Sequence, residues 1–366
     1  MSEETKKFLL DFGYTESDVE SISNAFNRHA TTCKIDKLKE INKYFFSLGF
    51  SSKDIIKMIA YYPVIYVLTL DNISKKVIDL CTLGYSVNDV KKIIKNNPSV
   101  LGYNIENIKQ NLEYLYTLNY SENEVKKMTK IAPRIIGTPR KTLKSRLDKL
   151  NELYNEQEVK KITLSFPTIL CLQSEYLLGK IYDLCFLGYS KKDVLKMVQI
   201  CPSILGYSIE TINDKINDMI TLGFKREDVL EMIKISPLLL TYSIENIKNK
   251  IDDIISLGYT LEETISMLKS LPALFGYSIE NIKEKIDFYN SIELKNLPLK
   301  KTKNLMQSVS LSKARYLFYT RECNITIDEN NYNQLFIGSK EFERKYKMSN
   351  LDLIEKYKGE IDERTI

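Results

Sequence analysis

Apolar residues recur along most of this chain at helical rather than strand spacing. In IENIKNKIDDIISLGY, Ile247, Ile251 and Ile254 fall on one helical face, and Leu143, Leu147 and Leu150 do the same earlier in the chain. Between such stretches stands a phrase like LGYSVNDV at 83–90, which reads as a helix stop followed by a helix start. Gly84 suits the left-handed position after a helix, with Tyr85 as the apolar residue that follows. Ser86 then caps the next helix, and Asp89 three residues on completes a capping box. Ser51/Asp54, Ser121/Glu124, Ser190/Asp193 and Thr260/Glu263 repeat the arrangement. Each first helix is predicted to end near a proline, because the residue before proline is driven from helical angles. A short turn such as PSILGY follows, and Ser208 or Ser243 caps a second long helix.

The pattern is periodic. Prolines fall at 63, 98, 133, 167, 202, 237 and 272, spaced by 35 residues except for one interval of 34. Fourteen residues before each lies the stop slot: Gly49, Gly84, Asn119, Leu153, Gly188, Gly223 and Gly258. A weaker copy, FGYTESDV at 12–19, has Asn27 at the proline position. Helix pairs of this size must stack to bury their faces, so the expected fold is an all-α superhelical solenoid. The division expected is a helical cap with a degenerate repeat at 1–44, seven repeats over 45–292 and a basic helical cap at 293–366. Repeats are numbered below by their prolines, from Pro63 in the first to Pro272 in the seventh.

A 35-residue period also occurs in tetratricopeptide and pentatricopeptide arrays, but this chain has no Trp and places a Pro between its two helices. The phrase LGYSxxDVxxMIxxxPxILxYSIENIxxKI instead resembles the mitochondrial transcription termination factor (mTERF) family across about 45–290. SLSKARYLFYTRE at 310–322 and GSKEFERKYK at 338–347 look like that family's closing segments. The resemblance implies a curved half-ring with two long helices and one short helix per repeat. It also implies a cradle for double-stranded nucleic acid lined by basic residues, in transcription or in organellar RNA and ribosome assembly.

Composition narrows the chemistry. At 43% hydrophobic the chain has ample core material, and its apolar runs are too short to span a membrane. Six cysteines form no CxxC pair; Cys81 and Cys185 occupy the slot of Ile220 and Ile255, which reads as core positions in a reducing compartment. His29 is the only histidine, so zinc sites and histidine-based catalysis lack material, and neither an enzyme nor a cofactor is expected. MSEETKKFLLDFG lacks the marks of a presequence or signal peptide, which makes a cytoplasmic protein the expectation. A mitochondrial or plastid matrix protein whose presequence had been removed would read the same way.

Net charge is only +5, so distribution matters more than balance. One column, eight residues after each stop slot, runs Lys57, Lys92, Lys127, Lys161, Lys196, Glu231, Ser266. A second, thirteen after each proline, runs Lys76, Asn111, Arg146, Lys180, Lys215, Lys250, Lys285. Each reads either as a stripe along a bound polymer or as i,i+3 partners of acids on the same helix. Repeat three stands apart: residues 126–149 carry nine bases and one acid, Asp148. Lys141 replaces the Glu found at the same helix start in other copies, an unfavourable place for a cation. The tail from 294 to 321 holds seven bases and no acid.

The candidate nucleic-acid contacts are therefore Lys127, Lys130, Arg134, Arg140, Lys141, Lys144, Arg146 and Lys149, with Lys300, Lys301, Lys303, Lys313, Arg315 and Arg321 in the tail. Tyr316, Phe318 and Tyr319 read as core rather than base-stacking groups. Duplex DNA is the favoured partner and RNA the alternative, with a monomeric protein expected. A protein partner on the concave face is the competing use, favoured by the net acidic stretches 203–237 and 238–272.

Overall fold

The computed structural model describes residues 1–295 and 297–362, apart from the side chains of Lys300 and Asp362. All regular structure among the described residues is helical. The chain divides into two compact units, Met1–Lys191 and Lys192–Ile366, so the boundary falls within the array.

Repeat two shows how the sequence pattern becomes structure. Its first helix, Val87–Asn96, opens with the predicted capping box: Asp89 N donates to Ser86 Oγ at 3.1 Å, and Ser86 N donates to the Asp89 carboxylate at 3.3 Å. Asn97 takes extended angles before Pro98, which heads a 3-10 turn, Pro98–Gly102. A thirteen-residue second helix, Ile105–Thr117, follows. Val90, Ile93 and Ile94 of the first helix, Val100 and Leu101 of the turn, and Ile108, Leu112 and Leu115 of the second are all buried. Burying each such side chain favours folding by roughly 1.5–3 kcal/mol, which makes stacking the main stabilising term. Boxes form as expected at Ser51, Ser121 and Thr260, and Ser208 and Ser243 cap their helices.

Gly84 adopts φ 86° in the stop slot, and Asn119 reaches φ 63° there without being glycine. Leu153 has no left-handed angle. Its helix, Arg140–Asn151, has twelve residues instead of thirteen and closes when Tyr154 N donates to Leu150 O at 2.9 Å. That missing residue accounts for the single 34-residue interval.

Neighbouring repeats of the first unit are pinned by side chains. The aromatic after the stop slot is buried, and its hydroxyl meets a threonine one repeat on: Tyr85 with Thr129 at 2.7 Å, Tyr120 with Thr163 at 2.6 Å. A β-carbon on Gly137 would overlap the ring of Tyr103, so that glycine is the seat for the preceding repeat's tyrosine. The cysteine expectation needs correcting: Cys81 and Cys185 are only half-buried, and Ile220 and Ile255 in the same slot are 37% and 36% exposed. The slot borders the core instead of filling it.

In the second unit the tail packs Phe318 and Tyr319 of helix Val309–Arg321 against Phe342 and Tyr346 of helix Ser339–Tyr346. Phe318 and Tyr319 are buried, as expected of core groups.

Candidate nucleic-acid interface

The column thirteen residues after each proline serves chiefly as clamps between repeats, with i,i+3 ion pairs on the same helix at Lys180–Asp183 (3.7 Å) and Lys250–Asp253 (3.8 Å). Six of its donors reach into the next segment and bond its turn carbonyls. Lys76 Nζ donates to Tyr103 O at 2.5 Å, Lys250 Nζ to Tyr277 O at 2.6 Å, and Lys215 Nζ to Tyr242 O. Lys285 Nζ donates to Leu305 O at 2.5 Å. Arg146 Nη1 does the same to Leu170 O at 2.6 Å, and Asn111 Nδ2 bonds both Ile136 O and Thr138 O. A short turn leaves carbonyls without helical partners, and a half-buried donor satisfies them. Burial pushes the ammonium groups of Lys76, Lys215 and Lys285 below the usual lysine range. The sequence did hold a clue: the column accepts Lys, Arg or Asn, all hydrogen-bond donors, and no acid.

The other column behaves differently. Lys57, Lys92, Lys127 and Lys161 are exposed and make no hydrogen bond or ion pair. The capping-box acids three residues earlier do not pair with them: a lysine of the following repeat takes Asp54, Asp89 and Glu124, while Glu158 accepts from Asn155 N. Lys95 meets Asp54 at 2.6 Å, Lys130 meets Asp89 at 2.9 Å and Lys160 meets Glu124 at 3.0 Å. Hydrogen bonding from Lys95, helped by Ser51, draws the Asp54 carboxyl down to about 2.

The same pairing divides the repeat-three candidates. Lys130 is tied to Asp89, and Lys149 to Glu152, which lies just past the acid-poor window. Arg146 is half-buried and holds Leu170 O, so it is a clamp between repeats rather than a free surface cation. Arg140 is exposed, with its guanidinium 4.9 Å from the centre of the Tyr114 ring. The side chains of Lys127, Arg134, Lys141 and Lys144 are exposed and form no ion pair or hydrogen bond. Helix Arg140–Asn151 starts from Pro139 with no side-chain cap and no acid in its first turn. The positive end of the helix dipole therefore adds to Lys141 instead of being neutralised.

The tail loses most of its candidates. Arg315 is 1% exposed and cannot reach a ligand: it donates to Leu335 O at 2.9 Å, Ile337 O at 2.7 Å and Asn350 Oδ1 at 3.1 Å, with its guanidinium over the Phe342 ring. Arg321 pairs with Glu360, and half-buried Lys313 donates to Ile361 O at 3.2 Å. All three hold the closing helices together. Lys301 and Lys303 remain exposed and unpaired, while the Lys300 side chain lies outside the described residues.

Among the described residues no group of three His, Cys, Asp or Glu is placed to hold a metal ion, and no helix is long and apolar enough to cross a membrane. A family model described as mTERF matches residues 70–185 and 179–302. The free cations of repeat three lie inside that span, and Lys303, Lys313, Arg315 and Arg321 lie beyond it. No curated protein matches the chain.

Proposed function

The chain belongs to the mTERF family of nucleic-acid-binding helical-repeat proteins, and from that premise we propose that it binds double-stranded DNA through the phosphate backbone and regulates transcription. The observation that carries this reading is the cluster of Lys127, Arg134, Lys141 and Lys144, four exposed cations without carboxylate partners on one repeat. Surface cations neutralised by a neighbouring acid lose much of their pull on phosphate; these are not neutralised. Contacts of this kind bind with little regard to base sequence and release counterions.

Titrating a labelled duplex with the full chain at increasing salt tests the reading. Binding at low salt that weakens linearly on a log–log plot is expected, with each phosphate contact contributing about −0.9 to the slope. Arg134→Gln, Lys141→Gln and Lys144→Gln combined should flatten the slope by about 2.7. No binding to duplex DNA at low salt overturns the proposal. Stronger binding to duplex RNA than to DNA at equal salt transfers the reading to RNA. For the regulatory role, a bound duplex should arrest or recruit a transcribing polymerase, and unaltered transcription across the occupied site would remove that part.

A further inference from the structure

We propose that Lys57, Lys92 and Lys161, with Lys127 between them, form a ladder on the first helices of the Met1–Lys191 unit that follows a nucleic-acid phosphate backbone, one rung per repeat. The proposal rests on the function proposed above and adds a surface to it, since three of the four rungs lie outside repeat three.

The first helices of these four repeats, Ser52–Tyr61, Val87–Asn96, Glu122–Ile131 and Glu156–Ser165, pack in succession, joined by the pairs Lys95–Asp54, Lys130–Asp89 and Lys160–Glu124. Those pairs occupy the carboxylates three residues before Lys57, Lys92 and Lys127, and Glu158, three before Lys161, accepts from the Asn155 backbone instead of pairing with Lys161. Equivalent positions in stacked repeats face the same way, so the four free ammonium groups line one surface. Four residues before each rung stand Lys53, Asn88, Asn123 and Gln157, all exposed, and the exposed positions four residues after are likewise free of acids. A lysine with no acid four residues to either side can grip phosphate without a competing negative charge at those positions.

Helices packed side by side lie about 8–10 Å apart, so four rungs cover roughly 25–30 Å of a linear polyanion. At about 3.4 Å per base pair this corresponds to roughly seven to nine pairs of duplex. A regular pitch suits a polymer of regular charge better than the uneven acids of a folded protein surface. Within the second unit the corresponding positions begin with exposed Lys192 and Lys196 and then turn acidic, with Glu227, Glu231 and Glu262 exposed. The proposed ladder comprises the four rungs of the Met1–Lys191 unit, and the column loses its positive charge from the sixth repeat on.

The test is a salt titration of duplex binding by Lys57→Gln/Lys92→Gln/Lys161→Gln, with Lys127 and repeat three intact. Each rung should remove about 0.9 from the slope, about 2.7 for the three, with an unchanged circular dichroism spectrum and melting temperature. Lys248→Gln/Lys283→Gln, which neutralises two exposed lysines of the second unit, should leave the slope unchanged. An unaltered slope in a folded triple variant overturns the ladder and leaves the proposed function standing. Failure of the wild-type protein to bind duplex at low salt overturns the proposed function itself. If the triple variant loses binding to labelled polyglutamate while keeping its full duplex slope, the surface serves an acidic polypeptide and the ladder is wrong.

Discussion

The guanidinium of Arg146 donates to the carbonyl of Leu170 at 2.6 Å, joining the second helix of one repeat to the turn of the next. Lys250 makes the same connection to Tyr277. A hydrogen bond to a charged donor contributes about 1.5–3 kcal/mol, and its loss leaves a carbonyl unsatisfied. Arg146→Met and Lys250→Met are each expected to lower stability by about 1–2 kcal/mol in urea unfolding. Lys57→Met, at an unpaired exposed site, should change it by less than about 0.5 kcal/mol. Arg146→Met should also leave the salt slope of binding unchanged, which separates a clamp from a phosphate contact.

The Tyr85–Thr129 bond is buried, and one repeat earlier the same two slots hold Phe50 and Ile94, also buried. Both pairs fill the space, one polar and one apolar. Thr129→Val should cost about 1–3 kcal/mol because it strands the Tyr85 hydroxyl, and Tyr85→Phe added to it should restore part of that loss. Chemical denaturation of the two single variants and the double variant reads the coupling. Simple additivity would mean that the hydroxyls do not interact.

Two glycines in the first unit should respond oppositely to alanine. At Gly137 the new methyl overlaps the Tyr103 ring, whereas at Gly179, inside a helix, nothing lies within 4 Å. Gly137→Ala should destabilise by about 1–3 kcal/mol through overpacking. Gly179→Ala should stabilise by about 0.5–1 kcal/mol through helix propensity. Melting temperatures moving in the same direction would contradict this.

The Asp54 carboxyl, held at about 2 chiefly by Lys95, makes stability depend on pH in a defined window. Its folded value lies below the ordinary 3.8, so its contribution is present above about pH 4 and is lost as pH falls toward 2. Lys95→Met should raise the carboxyl toward the ordinary range, visible in a carboxylate NMR titration. Asp54→Asn should be less stable at neutral pH and lose less on acidification between pH 4 and 2. A titration midpoint in Lys95→Met equal to that of the wild-type protein would show that Lys95 does not set it.

Most of the repeat was legible in the chain because its causes are local. Gly84, Ser86, Asp89 and Pro98 act on backbone within a few residues, so their geometry follows from the order of residues. The single 34-residue interval even marks the helix that ends one residue early. The pattern of free and paired cations was legible only in part. Repeat three was singled out by its basic run, but Lys130, Arg146 and Lys149 have partners that a count of charges within 126–149 does not reach. Arg315 looked like a surface cation in an acid-free segment, yet its carbonyl partners come from residues 335 and 337, which no charge count records.

By itself, then, the sequence determined the period, the helix ends and the buried faces, all set by short-range sterics and apolar spacing. Only the tertiary structure decided which cations are free. Lys57 and Lys95 look equally exposed in the sequence, and Lys57 stands nearer to Asp54 along the chain. Stacking brings Lys95 within 2.6 Å of that acid and leaves Lys57 without a partner. Charge pairing acts through space, and in a solenoid the nearest carboxylate in space belongs to the neighbouring repeat.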